Sequence, residues 1–224
     1  MSSRWSRNSG RWERMDSRDI KIGVLALQGD FEAHQKLLEV RLGVHAVLVR
    51  SADELRNVDG LIIPGGESTT MGKLLERFGL ANVIRERAGG GMPVYGTCAG
   101  LILLAKNIEG SDQPRLGLLD VTVARNAFGR QVDSFEADIP IPSLGADPVR
   151  GVFIRAPWVT QTGPGVEVLG TFRDRVVAVR HGGILGIAFH PELTDDARMH
   201  EEFVKMVRAF ANDRIVPDSN RASG

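Results

Sequence analysis

The stretch Gly96-Thr97-Cys98-Ala99-Gly100 decides how the fold of this chain is interpreted. Residues 93–95 before it predict a short strand, and residues 101–106 after it predict the start of a helix. Glycines on both sides of Cys98 permit a tight strand-to-helix turn that a Cβ would obstruct. Such a turn places the sulfur at a helix N-terminus, where the helix dipole favours the thiolate. The pattern therefore predicts a reactive cysteine, whereas a lone cysteine without this context is more often a small buried hydrophobic residue.

Strand and helix patterns alternate on the N-terminal side of this turn. Ser51 and Glu54 form a capping-box pattern at the start of a short helix. Strands that alternate with helices imply crossover connections and a mostly parallel sheet, which binds its ligands at the carboxyl ends of the strands. The predicted strands are residues 20–27, 44–49 and 60–63, and the predicted helices are residues 30–42, 71–78 and 81–87.

From about residue 118 the pattern changes to strands and loops. The domain ends with a predicted amphipathic helix at residues 195–212. The predicted fold class is α/β, with three layers: a mostly parallel central sheet flanked by helices, with antiparallel strands added in the C-terminal half. The strands predicted in this half are residues 118–124, 151–154, 166–171, 175–179 and 184–189.

We expect one domain at residues 20–212. Residues 1–19 are rich in arginine and serine and lack the apolar segment of a secretory signal, so we predict either a disordered leader or an artificial extension there. Residues 213–224 are polar and predict a frayed tail.

Composition excludes several classes of protein. Lys plus Arg equals Asp plus Glu at 28 each, so the net charge is zero and favours neither a nucleic acid nor a membrane as partner. No apolar run reaches the roughly 18 residues of a membrane span. A single cysteine cannot form an intramolecular disulfide, and the 5 histidines lack metal-ligand spacing. We therefore expect no metal, no cofactor and a cytoplasmic location.

A cysteine nucleophile needs a base, and His190-Pro191-Glu192 follows a predicted strand. Residues i and i+2 of an extended segment project to the same side, so Glu192 can reach the His190 imidazole and orient it. Taken singly, His190 is more often an ordinary histidine at a strand end, and Glu192 is more often an ordinary acid at a helix start. Their adjacency, together with the cysteine turn, favours a triad of Cys98, His190 and Glu192.

A glycine-rich loop, Pro64-Gly65-Gly66-Glu67-Ser68, follows the strand at residues 60–63. Its backbone N–H groups can approach a ligand, and with the N–H of Ala99 the N–H of Gly66 would stabilise a tetrahedral oxyanion. The spacing from Gly66 to Lys73 does not match the phosphate-binding Walker pattern. A plain glycine-rich connection is the alternative.

Seven strings resemble the class I glutamine amidotransferases and, among them, the family of glutaminase subunits of pyridoxal 5′-phosphate synthases. The strings containing the cysteine and the histidine mark only the broad class, whereas RNAFGRQ and the FIRAP within VFIRAP are specific to the narrower family. The resemblance runs from about residue 20 to residue 210. The strings are residues 23–29 (GVLALQG), 64–71 (PGGESTTM), 96–101 (GTCAGL), 125–131 (RNAFGRQ), 135–138 (FEAD), 152–157 (VFIRAP) and 189–194 (FHPELT).

The resemblance implies hydrolysis of L-glutamine to glutamate and ammonia through a γ-glutamyl thioester on Cys98, with His190 and Glu192 completing the triad. Arg125 or Arg155 would pair with the substrate α-carboxylate, unless they form ordinary surface ion pairs. The implied glutamine pocket consists of Gly66, Glu67, Ser68, Arg125, Ile154 and Arg155.

The resemblance also implies a partner: a TIM-barrel pyridoxal 5′-phosphate synthase subunit, in a large hetero-oligomer, that consumes the ammonia. Docking of this partner would activate the chain by rearranging the loop at Gly65 and Gly66.

Two other functions stay open at this point. A related Cys–His hydrolase of protease or deglycase type shares the cysteine turn, although the strings around His190 and Arg125 fit it poorly. A non-catalytic scaffold subunit keeps the fold alone, and it needs none of the triad groups.

Overall fold

The structure, a computed structural model, describes residues 5–8, 11–14, 20–125 and 134–214. Within the predicted leader it describes β1 (Trp5–Asn8) and β2 (Arg11–Arg14), which pair with each other in antiparallel fashion. The remaining residues of the leader, and residues 215–224 of the predicted tail, lie outside the described residues. The predicted limits of the domain stay predictions.

Twelve further strands and six α-helices make up the rest of the described chain. The strands are β3 (Lys21–Leu25), β4 (His45–Val49), β5 (Gly60–Ile63), β6 (Val94–Thr97), β7 (Ala105–Ile108), β8 (Leu119–Ala124), β9 (Ser134–Ile139), β10 (Val149–Ile154), β11 (Trp158–Thr162), β12 (Glu167–Phe172), β13 (Arg175–His181) and β14 (Ile184–Ile187). The helices are α1 (Phe31–Lys36), which continues as a π-helical turn (Leu37–Arg41), α2 (Ala52–Arg56), α3 (Ser68–Arg77), α4 (Leu80–Gly89), α5 (Ala99–Leu104) and α6 (Arg198–Asp213). Short 3₁₀ turns occupy Pro142–Leu144 and Pro191–Leu193.

The central sheet has the strand order β4-β3-β5-β6-β14-β13-β11-β8-β7, with β12 also paired to β13. The five strands from β4 to β14 run parallel, and the pairs from β14 to β8 are antiparallel. Strands β9 and β10 form a separate antiparallel pair. This mixed sheet confirms the predicted fold class.

Helices pack on both faces of the sheet. The Tyr95 ring in β6 lies 5.4 Å from the ring of Phe203 in α6. A Cβ on the next residue, Gly96, would lie 2.7 Å from the Leu104 side chain in α5. Because consecutive residues of a strand point to opposite faces, α5 and α6 cover opposite sides of the sheet. The inner strands are therefore buried on both faces, which explains the continuous apolar run of β5.

Several element predictions were wrong in detail. The helix expected to start at residue 101 begins at Ala99 and ends at Leu104, and residues 105–106 belong to β7. Strands β7, β9 and β11 were not predicted, because each carries too many polar residues for its apolar alternation to stand out. The last helix begins at Arg198 instead of residue 195, since the Asp196 carboxylate accepts a hydrogen bond from the Arg198 N–H at 3.1 Å.

One other local prediction is confirmed. The capping box at the start of α2 is present, with the Ser51 hydroxyl accepting from the Glu54 N–H and the Glu54 carboxylate accepting from the Ser51 N–H. Within the described part of the chain, every helix is too short or too polar to cross a membrane.

Candidate active site

Cys98 occupies the strained turn between β6 and α5. Its backbone has a φ of 48° and a ψ of −101°, which is a conformation that a residue with a side chain rarely adopts. The two flanking glycines are required by close packing. A Cβ on Gly100 would lie 2.2 Å from the carbonyl oxygen of Ile63, and a Cβ on Gly96 would lie 2.5 Å from the backbone of Gly100. The predicted turn geometry is therefore confirmed.

A cavity of about 380 Å³ opens at the carboxyl ends of β5, β6 and β14 and contains the Cys98 side chain. Except for Glu192, which lies behind His190, every residue predicted for the site lines it. Its lining consists of Gln28, Asp30, Gly65, Gly66, Glu67, Ser68, Cys98, Ala99, Ile102, Arg125, Ile154, Arg155, His190 and Leu193.

A larger depression of about 950 Å³ lies elsewhere, beside Arg150 and Arg198. It has no cysteine, and its three arginines are engaged in ion pairs: Arg41 with Asp195, Arg150 with Glu136 at 2.8 Å and Arg198 with Asp196 at 2.6 Å. The smaller cavity around Cys98 is therefore the candidate active site.

His190 and Glu192 are buried against each other and directly behind the glycine-rich loop. The imidazole Nδ1 lies 2.8 Å from Glu192 Oε1, and a Cβ on Gly65 would lie 2.2 Å from His190 Cε1. The predicted contact exists, but the predicted reason for it is wrong. The segment is a 3₁₀ turn at Pro191–Leu193, not an extended strand end, and this turn folds the carboxylate under the ring.

The electrostatics of this group favour an imidazolium beside a carboxylate. Burial lowers the pKa of His190, but hydrogen bonds with Cys98 and Glu192 outweigh burial and raise that pKa well above its ordinary value. Burial likewise works to raise the pKa of Glu192, but the His34 and His190 imidazoles outweigh it and hold that pKa below its ordinary value. Both shifts favour the form in which His190 carries a proton and Glu192 is ionised.

Arg125 and Ser68 are joined by the buried amide of Gln113. The amide oxygen accepts from Arg125 Nη1 at 2.7 Å and from the Thr69 hydroxyl at 3.1 Å, and the amide nitrogen donates to Ser68 Oγ at 3.0 Å. Because this partner of the guanidinium is a neutral amide, the positive charge of Arg125 is left available to a substrate carboxylate.

The glycine-rich loop is fastened to the segment that precedes α1. The Gly65 carbonyl accepts from the Asp30 N–H at 3.3 Å, and the Glu67 N–H donates to Gln28 Oε1 at 2.8 Å. Gly66 has a φ of 154°, and a Cβ there would lie 2.5 Å from Gln28 Oε1. On the other side of the cavity, the Cys98 sulfur lies 3.8 Å from the carbonyl oxygen of Ile154.

Glu67 caps α3 at the edge of the cavity. Its carboxylate accepts from the backbone N–H groups of Thr69 at 3.1 Å and Thr70 at 2.7 Å. A hydrogen bond with the Thr70 side chain is the main cause that lowers the pKa of Glu67 to about 2, and the two backbone N–H groups add to it.

Glu67→Gln should therefore destabilise the protein near neutrality and matter less in acid. The pKa of Glu67 in the folded state lies below the ordinary value of 4.5, so its carboxylate stabilises the fold fully above that pH and loses this effect as the pH falls towards 2. We expect the difference in urea midpoint between wild type and Glu67→Gln to narrow steadily below about pH 5. Glu76→Gln, near the other end of α3, controls for the loss of a carboxylate from this helix. A Glu67→Gln difference that stays constant with pH would contradict the assignment.

Sequence reasoning missed several residues that shape this site. Gln113, in the loop after β7, gave no signal at all, since polar loop residues are common. His34 and His200 lie on the apolar faces of α1 and α6, among Leu37, Leu38, Phe203 and Val207, and a histidine in such a stripe was the available signal. Gln28 lies inside one of the quoted strings but had no role assigned.

Comparison with known proteins gives close relatives over most of the chain. The family model of the SNO glutamine amidotransferases matches residues 24–209. The pyridoxal 5′-phosphate synthase subunit PdxT of Moorella thermoacetica is 57% identical over 188 residues, which are 84% of this chain and 100% of that protein. PdxT of Carboxydothermus hydrogenoformans is 56% identical over 188 residues, which are 84% of this chain and 98% of that protein. A crystal structure of a glutamine amidotransferase, 50% identical, superposes with a TM-score of 0.80 and covers 83% of this chain and 98% of its own.

The mixed sheet and the strand–cysteine–helix turn define a class I glutamine amidotransferase. Within that class, the chain belongs to the SNO glutamine amidotransferase family.

Proposed function

We propose that this chain hydrolyses L-glutamine to glutamate and ammonia at Cys98, and that it delivers the ammonia to a synthase subunit that makes pyridoxal 5′-phosphate. The observation that carries the proposal is that Cys98 and His190 line the same cavity, and that His190 Nδ1 lies 2.8 Å from the buried Glu192 Oε1. The family and the names of its relatives supply the substrate and the product of the assembly.

In the first half of the reaction, the Cys98 thiolate attacks the side-chain carbonyl carbon of glutamine and forms a tetrahedral oxyanion. Ala99 and Gly66 both line the cavity, and their backbone N–H groups are the proposed donors to that oxyanion. His190 gives its proton to the leaving nitrogen, the carbon–nitrogen bond breaks, and ammonia departs. A γ-glutamyl thioester on Cys98 is left behind.

In the second half, water attacks the thioester carbon while neutral His190 takes one of its protons. Collapse of the second tetrahedral intermediate breaks the carbon–sulfur bond, releases glutamate and restores the thiolate beside the imidazolium. Glu192 keeps the His190 ring in place throughout, because its hydrogen bond to Nδ1 leaves Nε2 as the nitrogen that exchanges protons.

The rim of the cavity is suited to the α-substituents of glutamine. Arg125 and Arg155 both line it, and we propose that one or both hold the α-carboxylate. Glu67 offers a carboxylate oxygen to the α-amino group on the same side, next to Ser68. Ile154 contributes its backbone oxygen near the sulfur.

The proposed partner is a TIM-barrel synthase subunit in a large hetero-oligomer, in the cytoplasm. The names of the relatives support a synthase partner, since they are called subunits of pyridoxal 5′-phosphate synthase. The chemistry gives a reason for the pairing. Ammonia released into neutral water becomes ammonium, which is not nucleophilic, so an enclosed passage between subunits preserves the reactive form. We further propose that docking rearranges the loop at Gly65 and Gly66.

The decisive experiment measures glutamate release from glutamine with and without a purified TIM-barrel synthase subunit. We expect release to increase on adding that subunit, and pyridoxal 5′-phosphate to form from glutamine without added ammonium. Peptide cleavage in place of glutamine hydrolysis would indicate a protease-type hydrolase. No hydrolysis in either condition would indicate a scaffold subunit and contradict the proposal.

A further inference from the structure

Two buried histidines lie behind the proposed triad, and none of the steps above uses them. His34 in α1 and His200 in α6 are both fully buried, although they are 166 residues apart in the chain. Their ring nitrogens meet at 2.8 Å, from His34 Nδ1 to His200 Nε2. Burying two imidazoles is costly unless their polar atoms are paired, so their placement calls for an explanation.

His34 also contacts the acid of the triad. Its Nε2 lies 3.4 Å from Glu192 Oε1 and 3.2 Å from the Thr97 hydroxyl, one residue before Cys98. Glu192 Oε1 is the same oxygen that lies 2.8 Å from His190 Nδ1. In the part of the chain that the structure describes, the other oxygen, Oε2, has no hydrogen-bond partner. One carboxylate oxygen therefore lies between two histidines.

The hydrogen-bond pattern decides which nitrogens carry protons. His200 Nδ1 has no partner among the described residues, and an unpaired lone pair is tolerated better than an unpaired N–H. The proton of His200 is therefore on Nε2 and is donated to His34 Nδ1. Since His34 accepts at Nδ1, its own proton lies on Nε2, where it faces Glu192 and Thr97.

We propose that His34 is a positioning residue that donates a hydrogen bond from Nε2 to Glu192, with His200 fixing its tautomer, so that the carboxylate stays aimed at His190. The proposal rests on the proposed glutaminase function and deepens it.

The surroundings hold His200 neutral and in place. Burial is the main cause that lowers the pKa of His200 to about 3. The Tyr95 ring packs edge-on against His200, with the ring centroids 5.5 Å apart. Four other titratable groups surround the pair of His34 and His200. They are Tyr95 from β6, Cys98 from the turn, and His190 and Glu192 from the segment after β14. Burial raises the pKa of Tyr95 and keeps that group neutral.

The tautomer of His34 can be measured in the intact folded chain, without any substrate. We expect ¹⁵N NMR of histidine-labelled protein to show His34 protonated on Nε2 and His200 protonated on Nε2 alone, with assignments from His34→Gln and His200→Leu. An unprotonated Nε2 on His34 would overturn the proposal, because such a nitrogen has no proton to donate to Glu192.

Kinetics in the complex with the synthase subunit provide the second test. His34→Leu should lower kcat for glutamine hydrolysis roughly 10- to 100-fold, because a misdirected carboxylate no longer aligns His190. KM should change little, since His34 is absent from the lining of the glutamine cavity. The acid limb of the pH profile should move to higher pH, because Glu192 loses a donor that favours its charged form.

Two further variants keep the test informative if His34→Leu does not fold. His34→Gln retains an N–H donor near the position of Nε2, so it should recover most of the kcat that is lost in His34→Leu. His200→Leu keeps His34 but frees its tautomer, so it should lower kcat and shift the acid limb in the same direction. Wild-type kcat and pH profile in all folded variants would overturn the proposal.

The two proposals fail in different ways. If the wild-type complex releases no glutamate, the proposed function is wrong, and the NMR experiment still reports on the His34 tautomer. If the wild type is active and the His34 and His200 variants match it, only the positioning role is wrong.

Discussion

Cys98→Ala is expected to lower glutamine hydrolysis in the complex by about 10⁴- to 10⁶-fold, because removing the nucleophile of a triad removes nearly all of its chemistry. Ala can adopt the same turn, and the loss of one buried sulfur is small, so the fold should persist. The measurement is glutamate release at saturating glutamine.

The control for Cys98→Ala is the synthesis of pyridoxal 5′-phosphate by the same complex from added ammonium. Formation of pyridoxal 5′-phosphate from ammonium salts does not need Cys98, so it should continue at the wild-type rate while formation from glutamine stops. Cys98→Ser should behave almost like Cys98→Ala, since a serine hydroxyl is a far weaker acid and a weaker nucleophile than a thiol. Retention of even one tenth of the wild-type glutaminase rate in Cys98→Ala would reject Cys98 as the nucleophile.

Gly100→Ala should cost about 3 kcal/mol of unfolding free energy, at the upper end of the usual range for overpacking a core. The added Cβ would meet the Ile63 carbonyl oxygen at 2.2 Å, and a backbone atom cannot rotate out of the way as a side chain can. Either β5 or the start of α5 must therefore shift. The melting temperature should fall by roughly 6–12 °C in a protein of this size. Glutaminase activity should fall with it, because α5 begins at the residue after Cys98.

Gly89→Ala provides the matched control. Gly89 ends α4, and a Cβ there would meet nothing within 4 Å. Replacing a glycine by alanine at a compatible position typically stabilises by about 0.4–1 kcal/mol, because it restricts the unfolded chain. Similar melting temperatures for Gly100→Ala and Gly89→Ala would show that contact at the turn does not limit stability.

Local sequence patterns predicted much of the fold. The glycines around Cys98 were enough to predict the turn. A tight turn depends on the backbone freedom of its own residues, so no distant contact is needed to recognise it. The parallel half of the sheet was recognisable because its strands are continuous apolar runs separated by helices. The segment His190-Pro191-Glu192 predicted the contact between His190 and Glu192, although the 3₁₀ turn that makes this contact was not expected.

The remaining features depend on contacts that are distant in the chain. Strand β11 is half exposed, and its pairing with β8 and β13 stabilises it more than its own apolar pattern does. Gln113 matters because Ser68 and Arg125 converge on it from separate elements. His34 and His200 each resemble an ordinary helix residue until α1 and α6 bring them together.

Three glycines of this site pack so that a neighbouring backbone or ring occupies the space where a side chain would begin. At Gly29 that neighbour is the Gly65 carbonyl oxygen, at Gly65 it is the His190 ring, and at Gly100 it is the Ile63 carbonyl oxygen. Tolerance to substitution in this site therefore depends on the space available for a side chain as well as on the chemical role of each residue. In a saturation library selected for growth without vitamin B6, these glycines should be depleted of variants as strongly as the cysteine, although they contribute no functional group.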